Sequence, residues 1–246
     1  MHISELMRNS LSEMEAALAE LLSIVPPARQ VPFADSFVFR HTEKRTDQAI
    51  VQKLSRIPSG LRAATALCNL GYFQEQGALQ RVVDEIGEDV LFLSIALIYP
   101  PASELHERYL EAFFAEEFDA QTGKPLDEPR PMIPRKKIRA AIAQSPVSGG
   151  NPSGHIDASR VVFHAYSGFV HGASPHIMDS FGGDPPRFFT RGMLGTPREQ
   201  EFREDIVNYY YRGLSAFVMG ARAVGHEPCF RRLYELSRVY QSLGVG

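Results

Sequence analysis

The chain has no tryptophan and only two cysteines, Cys68 and Cys229, among its 246 residues. Thiols so far apart, with no CxxC spacing, exclude a zinc ribbon, a thioredoxin-like motif and a disulfide scaffold. They read as small core residues of a protein in a reducing compartment. Long hydrophobic runs are also missing. The longest, residues 90–99, includes Ser94 and is about half of what a membrane span requires. Charge of one sign is not in excess either: 26 Lys and Arg face 29 Asp and Glu, a net charge of −3. That excludes a polycation that coats nucleic acid and leaves room for a local basic groove. Glu5, Glu13, Glu15 and Glu20 near the start exclude a secretory signal or an Arg-rich transit peptide. No phosphate loop with GKS or GKT, no GxSxG elbow, no HExxH and no paired ExxH occurs. The expectation is a soluble cytoplasmic protein that needs no cofactor.

What is present is ordinary globular material, 44% hydrophobic and 22% charged, with 19 Gly and 17 Pro. A chain of 27.5 kDa buries enough surface to hold a core without staples. Helical periodicity dominates. Leu11, Met14, Leu18, Leu21, Leu22 and Val25 recur at three and four, which makes residues 6–25 an amphipathic helix stopped by Pro26 and Pro27. Further helices are expected over 45–54, ended by Pro58, and from Ser59 to Phe73. Others are expected over 78–86, 89–99 and 103–118, and a short one opens on the basic cluster Arg135, Lys136, Lys137 and Arg139. Residues 157–171 form the next, with Asp157 as cap and Gly172 placed to end it. A short helix is expected from Ser174-Pro175 to about Phe181. Thr196-Pro197-Arg198-Glu199 supplies a cap, an N1 proline and a capping-box Glu for a helix to about Val224. A last helix runs over 229–243. Long loops near 119–134, 145–156 and 182–195 connect them. Residues 31–40 are extended enough to pair, but no convincing alternating strand occurs. The reading is a single all-α domain over residues 1–246, a multi-helix bundle.

One helix carries the functional argument. At about 100° per residue, Asp157, Arg160, His164, Ser167 and His171 fall within roughly 80° of one another. Most of the remaining circle is apolar, so the helix is buried on most sides and its polar stripe faces solvent, a cleft or satisfying partners. Arg offers fixed donors for phosphate or carboxylate, and His moves a proton near neutral pH. His171 lies in the last turn, where the helix dipole favours the imidazolium. An anion holder and a proton shuttle are the minimum for metal-free phosphodiester cleavage by the 2′-hydroxyl of RNA. A purely structural hydrogen-bonding network fits the same stripe.

The segment Arg160-Val-Val-Phe-His164, followed by Tyr166-Ser167-Gly-Phe-Val-His171-Gly172, resembles the signature helix of HEPN-like helical proteins. It is most similar to an uncharacterised bacterial branch whose helix ends in a Ser-x-x-x-His-Gly turn. The resemblance covers mainly residues 155–175. It implies an up-and-down helical bundle, frequent homodimers and, in active members, a metal-independent endoribonuclease. Active members carry an Arg followed after four to six residues by a His; here three residues separate Arg160 from His164 and ten separate it from His171. Other relatives are nucleotide-binding or interaction modules. The expected catalytic set is Arg160, His164, Ser167 and His171, with RNA or a nucleotide as ligand. A non-catalytic dimeric module is the alternative, and a metal-dependent hydrolase using His171, His176 and Asp179 is the third.

Secondary ligand contacts are assigned to Arg62, which with Asn69 is placed to face the stripe, and to Arg187 and Arg191. The last two flank Phe188 and Phe189 in a loop of binding-loop length, where Arg beside aromatics suits a ring ligand. The opposing reading has both Phe plugging the loop onto the core. Arg135 to Arg139 reads as a solvated helix end, and Tyr209 to Tyr211 span three helix faces, so at least one hydroxyl is exposed or bonded.

Overall fold

The computed structural model describes residues 2–149 and 165–245. The start of the expected 157–171 helix, with Asp157, Arg160 and His164, lies outside them. Among the described residues the chain is a multi-helix bundle with only two small strand pairs. Helix α1 (Ile3–Ile24) leads to a hairpin, β1 (Arg29–Phe33) against β2 (Ser36–Arg40). Helices α2 (Thr46–Leu70) and α3 (Phe73–Ile98) are joined by a two-residue turn, so they run antiparallel. After them come α4 (Glu104–Phe113) and α5 (Arg135–Gln144), then α6 (residues 165–171) and the short α7 (Ser174–Met178). A second pair, β3 (Phe181–Gly182) with β4 (Arg187–Phe188), precedes α8 (Glu199–Val224) and α9 (Glu227–Ser242). No described helix is long and apolar enough to cross a membrane.

Helix α8 is the central rod, touching α1, α2, α3 and α9. Its apolar face brings Tyr209, Leu214 and Phe217 against Leu54, Ile57 and Leu61 of α2 and Phe92 of α3 in one buried core. Gly213 and Gly220 make the α2–α8 approach close. A Cβ on Gly213 would lie 2.8 Å from Ile57, and one on Gly220 would lie 2.8 Å from Leu54. Two residues seven apart share one helix face, so the pair forms a seam.

The helix breaks expected at Pro58 and between residues 86 and 89 do not occur. Pro58 lies inside a continuous α2. The lost backbone bond and the ring clash are overridden by burial of Leu54, Ile57 and Leu61 on either side. In α3, Glu88 and Asp89 do not interrupt the helix because cations meet them. Arg135 of α5 lies 2.6 Å from Glu88 and also bonds Asp89, Lys53 of α2 lies 2.8 Å from Asp89, and Arg139 lies 2.9 Å from Glu88. The basic cluster is therefore no solvated helix end: Arg135 and Arg139 dock α5 onto α3.

Other boundaries moved by a few residues. Ser103 caps α4 with His106 returning the bond, but the helix stops at Phe113, not Phe118. Thr196 does not cap α8: its hydroxyl donates to the Met193 carbonyl at 2.7 Å, and Glu199 reaches back to the Gly195 amide at 2.7 Å. The extended stretch at 31–40 does pair, as the β1–β2 hairpin. Gly172, at φ 61°, ends α6 as its position predicts. Both cysteines are buried and free.

Candidate functional site, a carboxylate-lined cleft beside α6

Two short helices and the start of α8 enclose a cleft of about 540 Å³. Alpha6 contributes Ala165, Tyr166 and Phe169; His176 comes from α7 and Asp179 from just beyond it. Alpha8 contributes Gln200, Glu201, Phe202, Glu204, Asp205 and Asn208. Glu201, Glu204 and Asp205, with the amide of Asn208, recur at i, i+3, i+4 and i+7, so they form one stripe of the helix. Phe202 and Ile206 beside it turn into the core.

Alpha6 is held there by rings. Phe169 rests against Gly77 of α3, stands edge-on to Phe202 at 5.9 Å, and meets His176 edge-on at 4.6 Å. Tyr166 crosses Tyr209 at 5.4 Å and donates its hydroxyl to Asp205 at 2.5 Å. His176 lies so close to α6 that a Cβ on Gly168 would fall 2.0 Å from its Nδ1. Its Nε2 lies 3.0 Å from the Ala165 carbonyl, which only accepts, so Nε2 carries the proton. Among the described residues Nδ1 is buried without a partner, and it packs on Gly168. His176 therefore fastens α7 to α6 and presents no free base to a ligand.

The electrostatics of the cleft are one-sided. Four carboxylates line it: Asp179, Glu201, Glu204 and Asp205. Arg198 bonds Asp179 and lies 2.6 Å from Glu201. Glu204 accepts from Gln200 at 2.7 Å, a neutral partner that leaves its charge in place. Burial pushes the Asp205 carboxyl up from its ordinary value, against the bonds from Tyr166 and Asn208 that favour its ionised form. Burial and the Asp205 charge together raise the Tyr166 phenol, which stays a neutral donor. Behind this layer Asp84 of α3 accepts from Tyr209 at 2.7 Å and pairs with Arg212 at 2.6 Å, yet burial still pushes its carboxyl up to about 6. An open, acid-lined and aromatic-walled cleft of this size suits a small organic cation, held by carboxylates and by ring faces.

The residues singled out in the sequence are spread over several places. Ser167 is half-buried and His171 exposed; they share one face of α6. Neither lines the cleft, because about 100° per residue turns them roughly opposite to Tyr166 and Phe169. Arg62 is occupied by Glu15 of α1 at 2.7 Å, and Asn69 faces Arg203 of α8 at 3.5 Å. Arg187 and Arg191 are exposed, with Arg187 above the Phe189 ring at 5.9 Å. Phe189 packs on the core and Phe188 stays exposed, so one of the two plugs the loop. His171, His176 and Asp179 are not gathered around a common point among the described residues. The three tyrosines are all bonded: Tyr209 to Asp84, Tyr210 with Thr65, and Tyr211 accepting from Gln241. The molecule is thus a helical bundle with a carboxylate-lined cleft at its α6–α8 corner. No family model, curated protein or solved structure matches the chain.

Proposed function

We propose that this chain is a HEPN-like helical module of the cytoplasm that acts by binding a small organic cation between α6, α7 and α8. One observation carries the reading: four carboxylates and three aromatic rings surround the cleft, while Arg198 is the one cation bonded to its carboxylates in the described structure. Asp205 and Glu204 receive the ammonium or guanidinium group, and Tyr166 and Phe169 cover its hydrocarbon. Calorimetric titration with spermidine, agmatine and choline, against AMP as an anionic probe, tests it. At least one amine binds below millimolar and more weakly as salt rises, Asp205→Asn loses at least tenfold, and AMP gives no heat. Equal binding of AMP, or an unchanged Asp205→Asn, overturns the reading.

A second reading, metal-independent cleavage of RNA, is favoured by the exposure of His171 at the C-terminal end of α6. Arg160 then holds the phosphate, His171 or His164 moves the proton, Ser167 orients an imidazole, and exposed Arg187 and Arg191 add anion contacts. A homodimer through this face accompanies it. RNA cleavage in EDTA that vanishes in a folded His171→Ala supports this reading; full activity in that variant removes it.

A further inference from the structure

Far from the cleft, three side chains of different ligand chemistry meet where the end of α1 approaches the α8–α9 corner. Gly225, at φ 83°, ends α8, and His226 caps α9 with Nδ1 accepting from the Cys229 amide at 3.2 Å. A cap and the third residue of a helix face the same side of the first turn. The His226-Glu-Pro-Cys229 spacing therefore brings imidazole and thiol together, with Pro228 stiffening the turn between them. Glu20, from the last turn of α1, adds a carboxylate whose Oε2 lies 3.8 Å from His226 Nδ1. One ligand atom from each of the three lies within 4.8 Å of the other two. Tetrahedral zinc with bonds of about 2.0–2.3 Å spaces its ligand atoms roughly 3.3–3.8 Å apart, so closure needs movements of about 1 Å or less.

We propose that Glu20, His226 and Cys229 form a binding site for a divalent transition metal of the zinc type, with water as fourth ligand. On binding, the Nδ1 lone pair turns from the Cys229 amide to the ion, and the rest of the surroundings are arranged for it. Arg232 holds Glu20 Oε1 at 2.5 Å, which fixes the carboxylate and leaves Oε2 for the ion. Cys229 is fully buried and His226 and Glu20 are partly exposed, so the ion enters from the imidazole side. Burial, with the charges of Glu20 and Glu13, holds the thiol up at about 11. Without metal Cys229 is an inert thiol; binding takes its proton, and one proton is released for each ion bound. A thiolate and an imidazole select zinc, cobalt or nickel over calcium or magnesium.

The full chain, stripped with chelator and titrated with cobalt(II), reads the site directly. One ion per chain is expected, with thiolate-to-cobalt charge-transfer absorption and tetrahedral visible bands. Cys229→Ser removes the charge-transfer band, and Cys68→Ser leaves it unchanged. If Cys229→Ser does not fold by circular dichroism, His226→Asn replaces it: Asn still caps the helix, and cobalt affinity drops at least tenfold. No charge-transfer band in the unmodified chain, a band that follows Cys68, or His226→Asn binding as tightly as the parent would overturn the assignment.

Discussion

Between α3 and α5, Lys53, Arg135 and Arg139 meet Glu88 and Asp89, whereas between α6 and α8 four carboxylates bond Arg198 alone among the described residues, with the charge of Arg212 acting on Asp205 from behind. Both groups sit on helix faces that the sequence fills with charge; the first is partly withdrawn from water, while in the second Asp179 and Asp205 are half-buried and Glu201 and Glu204 exposed. In the first, each carboxylate has two cationic partners and the result is a docked helix. In the second the negative charge is left over, and an open volume lies beside it. Matched charge at a helix contact is structural; unmatched charge beside a cavity has a ligand as its natural complement.

The largest test of this contrast is Arg135→Met. It takes one of two cationic partners from both Asp89 and Glu88, leaving Lys53 and Arg139, and chemical denaturation should show about 3 kcal/mol lost. Asp205→Asn in the cleft, by comparison, is expected to leave stability almost unchanged, since burial already disfavours its charge. A loss from Asp205→Asn as large as that from Arg135→Met would make the cleft another packing feature. Gly168→Ala comes next. The added methyl meets the His176 ring, so α7 must shift, at about 1–3 kcal/mol, and amine binding should fall with it. Unchanged binding in that variant would separate the ligand site from α7.

The smallest effect concerns Asp84, which lies behind the cleft bonded to the Arg212 guanidinium and the Tyr209 phenol. Its folded carboxyl titrates at about 6, above its unfolded value, so the native state binds the proton more tightly. That contribution is fully present below about pH 4 and is lost as pH rises towards 6, on the order of 1–2 kcal/mol. Asp84→Asn should flatten this part of the stability–pH curve. A parent curve that instead rises steadily from pH 4 to 6 would show the Arg212 pair prevailing over burial.

Much of the architecture is legible in the chain. Apolar residues at three and four place α1 within a few residues of its ends, α8 and α9 fall within a few residues of the expected 196–224 and 229–243, and Gly172 marks the end of α6. Propensity misleads at Pro58 and at Glu88-Asp89, because the rods they would break are held by neighbours distant in sequence. The cleft is less legible. Glu201, Glu204, Asp205 and Asn208 look like any solvated helix face, and their one local signal is the i, i+3, i+4, i+7 spacing opposite Phe202 and Ile206. Only tertiary structure sets Tyr166 against Asp205. The same holds for the cluster on α9, since nothing local joins Glu20 to His226 and Cys229. The stripe containing Ser167 and His171 was read from its chemistry, but the rotation of α6 that turns it from the cleft depends on Phe169 and Gly77.

The glycine seam along α8 has a consequence at the other end of that helix. Gly220 lies fifteen positions, about 22 Å, from Asp205 on the same stiff rod. A side chain inserted at Gly220 or Gly213 pries α8 from α2, and the rod then works as a lever whose far arm carries the acidic residues. Substitutions that never approach the ligand would thereby retune its grip.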